Sequence, residues 1–255
     1  MGKINTNLVA IVVLGFALNA CVSGQASGSN QVGVTEPQKI VFEISWIGSW
    51  RVGVVQNNAV RIFESHYGNV NGWVELPQYE FTLPDGYEVI FGGQGFIWVV
   101  VDNMVKSFIL ENGTWVEIAE FRLSLPHGYE RIFGSGGLLG IVVNNRLVRY
   151  GLIHETYGWE KLSEREFPFA NNKAVFYNGS GISTIVNNTV MAYIWDHESR
   201  AYYHVPEDDF NLPNGYEAVF AFFGHLCVVV GNKVTFHLRD HNNRWVEVPE
   251  LQLNF

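Results

Sequence analysis

Tyr87-Glu-Val-Ile-Phe-Gly92, Phe96-Ile-Trp-Val-Val-Val101, Met104-Val-Lys-Ser-Phe-Ile-Leu110 and Thr114-Trp-Val-Glu-Ile118 follow one another with only short turns between them. The first segment alternates and favours β structure. The second is a near-continuous apolar run, as expected of a strand covered on both faces. Gly92-Gly-Gln-Gly95 links these two. Asp102-Asn103 is a hairpin turn, because Asn tolerates the positive φ that two-residue turns demand. Glu111-Asn-Gly113 turns the chain again, and Phe121 to Leu125 leads on to Pro126-His-Gly128. The reading is four antiparallel strands, A to D, joined without helices.

The unit recurs from Lys39 to Phe255. Its D-strand aromatic falls at Trp73, Trp115, Trp159, Tyr202 and Trp245, spaced 42, 44, 43 and 43 residues apart. Its B–C turn keeps step at Asn58, Asn103, Asn145, Asn188 and Asn232, spaced 45, 42, 43 and 44 apart. Two independent markers on one period of this size, with β content, point to a propeller. The predicted fold is all-β: a five-bladed β-propeller with four antiparallel strands per blade. The blades run over about 39–83, 84–125, 126–169, 170–212 and 213–255. Leu83-Pro-Asp-Gly-Tyr-Glu88, Leu125-Pro-His-Gly-Tyr-Glu130 and Leu212-Pro-Asn-Gly-Tyr-Glu217 mark blade boundaries. In each, Pro pre-sets φ and Gly supplies a left-handed exit. The fourth copy departs, with Phe169-Ala-Asn-Asn-Lys173.

An up-and-down barrel would also satisfy antiparallel strands. It has no need of a heavy aromatic in every fourth strand, whereas blades packed face to face do. The five aromatics therefore read as inter-blade wedges, and their alternative reading is a ligand platform in each blade. A ring must also close, since an open one leaves raw sheet edges. Leu251-Gln-Leu-Asn-Phe255 is expected to lie against the first blade, pairing it or abutting Val41-Phe42.

Before the repeats come Met1-Gly-Lys3, an apolar run from Leu8 to Leu18, and Leu18-Asn-Ala-Cys21. The run is too short for a mature membrane span and reads as a signal peptide over residues 1–21. Residues 22–38, rich in Ser, Gly, Asn and Gln, cannot bury a core and read as a flexible tether. Without Lys3 the chain carries 15 basic and 25 acidic residues and has no basic run, which argues against nucleic acid as a partner. Besides Cys21 there is only Cys227, in the apolar run His225-Leu-Cys-Val-Val-Val230, so a disulfide inside the domain is excluded and the thiol reads as core.

The search for chemistry finds binding groups rather than catalytic ones. No nucleophile elbow, phosphate loop, His-Glu-x-x-His or Cys-x-x-Cys occurs. The carboxylates mostly repeat (Glu75, Glu117 and Glu247; Glu88, Glu130 and Glu217), whereas catalysis needs asymmetry. The unrepeated Glu207-Asp-Asp209 reads as a solvated loop. Four of the five C–D loops carry a histidine near polar or aromatic residues: His66 and Tyr67, His154 and Tyr157, Asp196 and His197, Asp240 and His241. On separate blades these are too far apart to share a metal at about 2 Å. They read either as a rim of small sugar-binding sites or as ordinary turn chemistry. No cofactor or metal is expected.

Leu18-Asn-Ala-Cys21 resembles a bacterial lipobox, which implies that Cys21 is acylated, with palmitate among its chains, and anchors the domain to a membrane. In repeat length, blade number and one Trp per blade, residues 39–255 resemble propeller lectins of the tachylectin type, in architecture only. The two resemblances together imply a lipid-anchored envelope protein, at the outer membrane or cell surface, that binds a glycan or protein ligand without catalysis. An envelope assembly scaffold is the alternative, and a glycan-active enzyme a more distant one.

Overall fold

The computed structural model describes residues 40–44, 49–66, 72–135, 137–153, 158–167, 174–177, 181–222, 224–242 and 244–255. The signal peptide and tether expected at the N-terminus, Cys21 included, lie outside them. The chain is a five-bladed β-propeller, each blade a four-stranded antiparallel sheet in the order A-B-C-D. The A strands are Val41–Glu43, Val89–Gly93, Tyr129–Ser135, Ala174–Tyr177 and Ala218–Phe222. The B strands are Ser49–Gln56, Phe96–Val101, Leu138–Val143, Ile182–Val186 and His225–Val230. The C strands are Ala59–His66, Met104–Glu111, Arg146–Ile153, Thr189–Asp196 and Lys233–Arg239. Each A strand neighbours the A strands of the blades on either side, and the fifth returns to the first, so the ring is closed.

One phenylalanine per blade anchors the centre. Phe42, Phe91, Phe133, Phe176 and Phe220 face Gly53, Trp98, Gly140, Ser183 and Cys227 across the A–B pairs, and all five are at most 1% exposed. Full burial of such a ring stabilises by about 1.5–3 kcal/mol relative to exposure. The next A-strand position is small in the second, third and fifth blades, as Gly92, Gly134 and Ala221. A Cβ on Gly134 would stand 2.3 Å from the Phe91 ring, and one on Gly92 would stand 2.3 Å from the carbonyl oxygen of Glu43. The B–C hairpins are tight, with positive φ at Asn57 and Asn58, Asp102 and Asn103, Asn144 and Asn145, and Asn187 and Asn188. Each hairpin also holds the end of its own D strand. Asn58, Asn103, Asn145, Asn188 and Asn232 accept, through their carbonyls, the N–H of Leu83, Leu125, Phe167, Leu212 and Phe255.

The outer strand follows one residue type. The D strand is continuous over Thr114–Ser124 in the second blade and Gly158–Glu166 in the third, each with a register shift against strand C. In the other blades it is cut by a 3-10 turn at Pro77–Tyr79, Pro206–Asp208 or Pro249–Leu251. Proline lacks the N–H a ladder needs and locks φ, so the chain must leave the sheet and return. Ala119 and Ser163 stand at the equivalent place in the continuous strands.

Closure differs from the expectation. Leu253–Asn254 pairs with Lys233 and Val234 of its own blade, not with the first blade. Beyond the contact of the first and fifth A strands, the seam is made by side chains on strands C and D. Leu251 O accepts the Trp73 indole N–H at 2.7 Å, and the Phe255 ring lies 6.4 Å from that of Phe63. Every blade is thus built from one unbroken repeat, because the C-terminal segment already has an antiparallel partner in its own hairpin.

Candidate functional site

The junctions between blades follow a rule that breaks once. Trp73, Trp115, Trp159 and Trp245 are half-buried, and each indole N–H donates to a backbone carbonyl of the preceding blade. The acceptors are Leu251, Tyr79, Phe121 and Asp208, at 2.7, 2.8, 2.9 and 3.3 Å. These four carbonyls occupy the same place in their repeats, the fourth residue of Val-Pro-Glu-Leu251, Leu-Pro-Gln-Tyr79, Ile-Ala-Glu-Phe121 and Val-Pro-Glu-Asp208. A directional bond of this kind, made half out of water, is worth about 1 kcal/mol net. At the junction of the third and fourth blades the donor is replaced by Tyr202, and the fourth residue of Leu-Ser-Glu-Arg165 is an arginine.

Two further positions depart at the same junction. On strand C, the residue opposite the anchoring layer of strand B is Ile62, Ser107, Ala192 or Phe236 in four blades, all at most 3% exposed. In the third blade it is Arg149, facing Gly140. On strand A, the place taken by Gly92, Gly134 or Ala221 in three blades is Glu43 in the first blade and Tyr177 in the fourth. Tyr177 is 6% exposed and its ring packs 5.0 Å from Phe133 of the third blade.

These substitutions open a cavity of about 50 Å³ between the two blades, at the face of the disc that carries the A–B links and C–D loops. Leu138, Gly181 and Ile182 form its apolar part. Arg149 and Arg165 come from the third blade, and Tyr177, Trp195 and Tyr202 from the fourth. The Arg165 guanidinium lies 4.0 Å over the Trp195 ring, and Trp195 meets Tyr202 edge-on at 5.0 Å. The Arg149 guanidinium is 5.9 Å from the centre of the Tyr177 ring. Arg149 Nε and the Tyr177 hydroxyl are both buried without a hydrogen-bond partner. Burial pushes the Tyr177 phenol up to about 12, against the opposing pull of Arg149, so it stays a neutral donor. Burial also raises the Tyr202 phenol, and both guanidiniums lower it. The site is two cations and three aromatic rings, with buried donors facing inward.

The C–D loop residues singled out in the sequence are placed differently. Tyr67, His154 and Tyr157 lie outside the described residues, and the backbone of His66 ends its C strand. The Ser199 hydroxyl, and then the N–H of Glu198 and of Ser199 at 3.0 and 3.1 Å, donate to Asp196 and hold its carboxyl below the usual range. Asp240 accepts the N–H of Asn242 and Arg244 at 2.8 and 2.9 Å, with the same effect. Both carboxylates are engaged in holding their own turns. His197 and His241 are exposed, and His241 meets the Asn242 side chain at 3.0 Å.

Glu207-Asp-Asp209 also has local partners. Asp208 pairs with Arg239 at 2.7 Å, Asp209 with His204 at 2.8 Å, and Arg239 donates to the Glu207 carbonyl. Burial raises the Asp208 carboxyl while Arg239 lowers it. The Cys227 thiol is wholly buried, and that burial raises its pKa well above the ordinary range, consistent with a core residue. Among the described residues no group of three or more His, Cys, Asp or Glu side chains is placed to hold a metal ion.

The motif search missed Arg149, Arg165, Tyr177 and Trp195, because none belongs to a motif. Aligning the repeats position by position would have found the first three, each an outlier in an otherwise apolar, small or backbone-accepting column.

No family model matches this chain, and no curated protein matches it. Among solved structures it is similar to a functionally unknown protein from Desulfotomaculum acetoxidans DSM 771, with 9% identity over 86% of this chain and 77% of that one, at a TM-score of 0.39. It is also similar to Hsv2 of Kluyveromyces lactis, with 10% identity over 80% of this chain and 59% of that one, at a TM-score of 0.39. At these values neither likeness carries an argument.

Proposed function

We propose that this chain is a membrane-tethered, non-catalytic recognition module of the bacterial cell envelope, which binds a glycan or protein ligand at the face carrying its A–B links and C–D loops. One observation carries the reading: the repeated packing rule is broken at a single described junction, and what replaces it there is guanidinium and aromatic groups around a cavity. Packing alone would favour repeating the indole bond. A replacement that puts Arg149 and Tyr177 at these places sacrifices packing for polar groups at a cavity, the usual trade at a binding site. The described lining holds no pair of carboxylates such as glycoside cleavage requires.

The tether rests on Leu18-Asn-Ala-Cys21. Acyl chains on Cys21 would hold the domain at the surface, at about 0.8 kcal/mol per buried methylene. Metabolic labelling with an alkynyl fatty acid tests it, with loss of label and release from the membrane fraction expected for Cys21→Ser. A glycan array probed with the mature chain tests recognition. Signal that disappears in Trp195→Ala supports the reading. Silence on the array, together with a co-purifying envelope protein, would favour the scaffold instead. That second reading has its own support. The residue after the wedge aromatic is apolar and solvent-exposed at Val74, Val116, Tyr203 and Val246, 40–61% exposed, so a row of apolar side chains lines the outer rim.

A further inference from the structure

Six arginines are held by carboxylates and two that line the cavity are not. Arg51, Arg61, Arg122, Arg146, Arg239 and Arg244 each sit within 3.2 Å of a carboxylate. Arg149 and Arg165 are in no ion pair among the described residues, in a chain with 25 acidic and 16 basic residues. Both line the cavity between the third and fourth blades. A guanidinium on a core-facing strand position, without a counter-ion, is costly to hold in the folded state. Nothing in the packing requires it, since the same position is filled by Ile62, Ser107, Ala192 or Phe236 in the other blades. The donors around it are incomplete in the same sense: Arg149 Nε and the Tyr177 hydroxyl are buried and have no acceptor.

We infer that this cavity is an anion subsite that takes the carboxylate of an acidic sugar, with the sugar ring outside it against the Trp195 and Tyr202 rim. This deepens the recognition reading above and rests on it. The missing partners are acceptors bearing negative charge, and a planar guanidinium matches a carboxylate in a two-bond fork. Size sets the depth of entry. A cavity of about 50 Å³ has room for a carboxylate group, and its open mouth leaves the ring beside the aromatic rim. There the aromatic side chains supply apolar faces of the kind sugar C–H groups lie against. Net charge selects for a single anion. A chain with a formal charge of −9 repels an extended polyacid such as an acidic peptide, but not one carboxylate delivered to two adjacent guanidiniums.

The experiment pairs D-glucuronate with D-glucose, which differ only at the carboxylate, and follows ligand-observed NMR and the tryptophan fluorescence of the mature chain. Saturable glucuronate binding at least tenfold tighter than that of glucose is expected, with Arg149→Met losing that tenfold. Arg149→Met is also expected to melt at or above the parent temperature, because the variant removes a half-buried charge that has no counter-ion from a site that is neutral in the other blades. A merely structural arginine would do the opposite and lower the melting temperature. Equal binding of glucose and glucuronate overturns the inference, as does tighter binding of a short poly-glutamate peptide. Neutral glycans bound on the array with Arg149→Met unimpaired would refute the anion subsite and leave the recognition module intact. Silence towards every sugar, charged and neutral, refutes both.

Discussion

The propeller closes without exchanging a strand between its first and last blades, so the side chains of the C-terminal segment carry much of the seam. Leu253 is 1% exposed, between the hairpin of the fifth blade and the seam. Leu→Ala at such filled sites costs about 2–5 kcal/mol, with the upper end reserved for positions that cannot collapse. At the edge of an outer strand the lower half applies, about 2–3 kcal/mol. For a domain of this size each kcal/mol moves the midpoint by about 2–4 °C, so Leu253→Ala should melt about 4–12 °C lower.

Deleting Leu251–Phe255 removes more. The Trp73 indole loses its acceptor at 2.7 Å, Phe255 leaves Phe63, and the N–H bond from Phe255 to Asn232 is lost. Each hydrogen bond adds about 1 kcal/mol to the loss, and the half-buried ring about another. The deletion should therefore cost roughly twice what the single substitution does, a large share of the 5–15 kcal/mol typical of folded domains, or about that order here. Thermal melts followed by circular dichroism give the midpoint. Tryptophan fluorescence adds a local signal, because Trp73 stacks on Phe236 at 5.5 Å across the seam. A deletion variant that melts with the full-length chain would refute closure by these contacts.

Trp115→Phe keeps a ring beside Phe81 but removes the N–H bonded to Tyr79 O at 2.8 Å, and should cost about 1 kcal/mol in urea denaturation, with no change in m-value. Gly134→Ala places a methyl 2.3 Å from the wholly buried Phe91 ring, and overpacking of that kind should cost about 1–3 kcal/mol. A neutral result would show that the inner strands have slack. Burial depresses the imidazole pKa of His237, with Glu247 opposing, so the folded state favours neutral His. The stabilisation from the neutral ring is therefore present above the ordinary imidazole pKa and is lost as pH falls through the lowered folded value. The melting temperature should drop in that acid window, and His237→Phe should flatten the drop, since Phe63, Phe108, Tyr150 and Tyr193 hold the same C-strand position. An unchanged slope in the variant would assign the pH dependence elsewhere.

Much of the architecture was legible because its causes are local. Asn at the B–C hairpins, the apolar run of strand B and the heavy aromatic of strand D each act within one repeat, so a spacing of about 43 residues displays them directly. Pro77, Pro206 and Pro249 also announce the broken outer strands, since a proline removes its ladder bond wherever it stands. The C-terminal segment lies against the first blade as expected, through Trp73 and Phe63, but pairs within its own blade. Its resemblance to earlier D strands was visible, but pairing with Lys233 and Val234 wins because the hairpin holds that partner close at little entropic cost.

The candidate site is of the other kind. Arg149 and Tyr177 belong to different repeats, and neither sits in a pattern that names a ligand. They share a cavity only because the fourth blade stacks on the third with its A strand beside the third blade's core layer. Sequence alone therefore determined the module, its number and the turns within it, which depend on contacts inside a single hairpin. Tertiary structure decided which modules touch, how the ring closes and where two unpaired guanidiniums meet three rings, because those facts depend on the rotation between blades that no single repeat encodes.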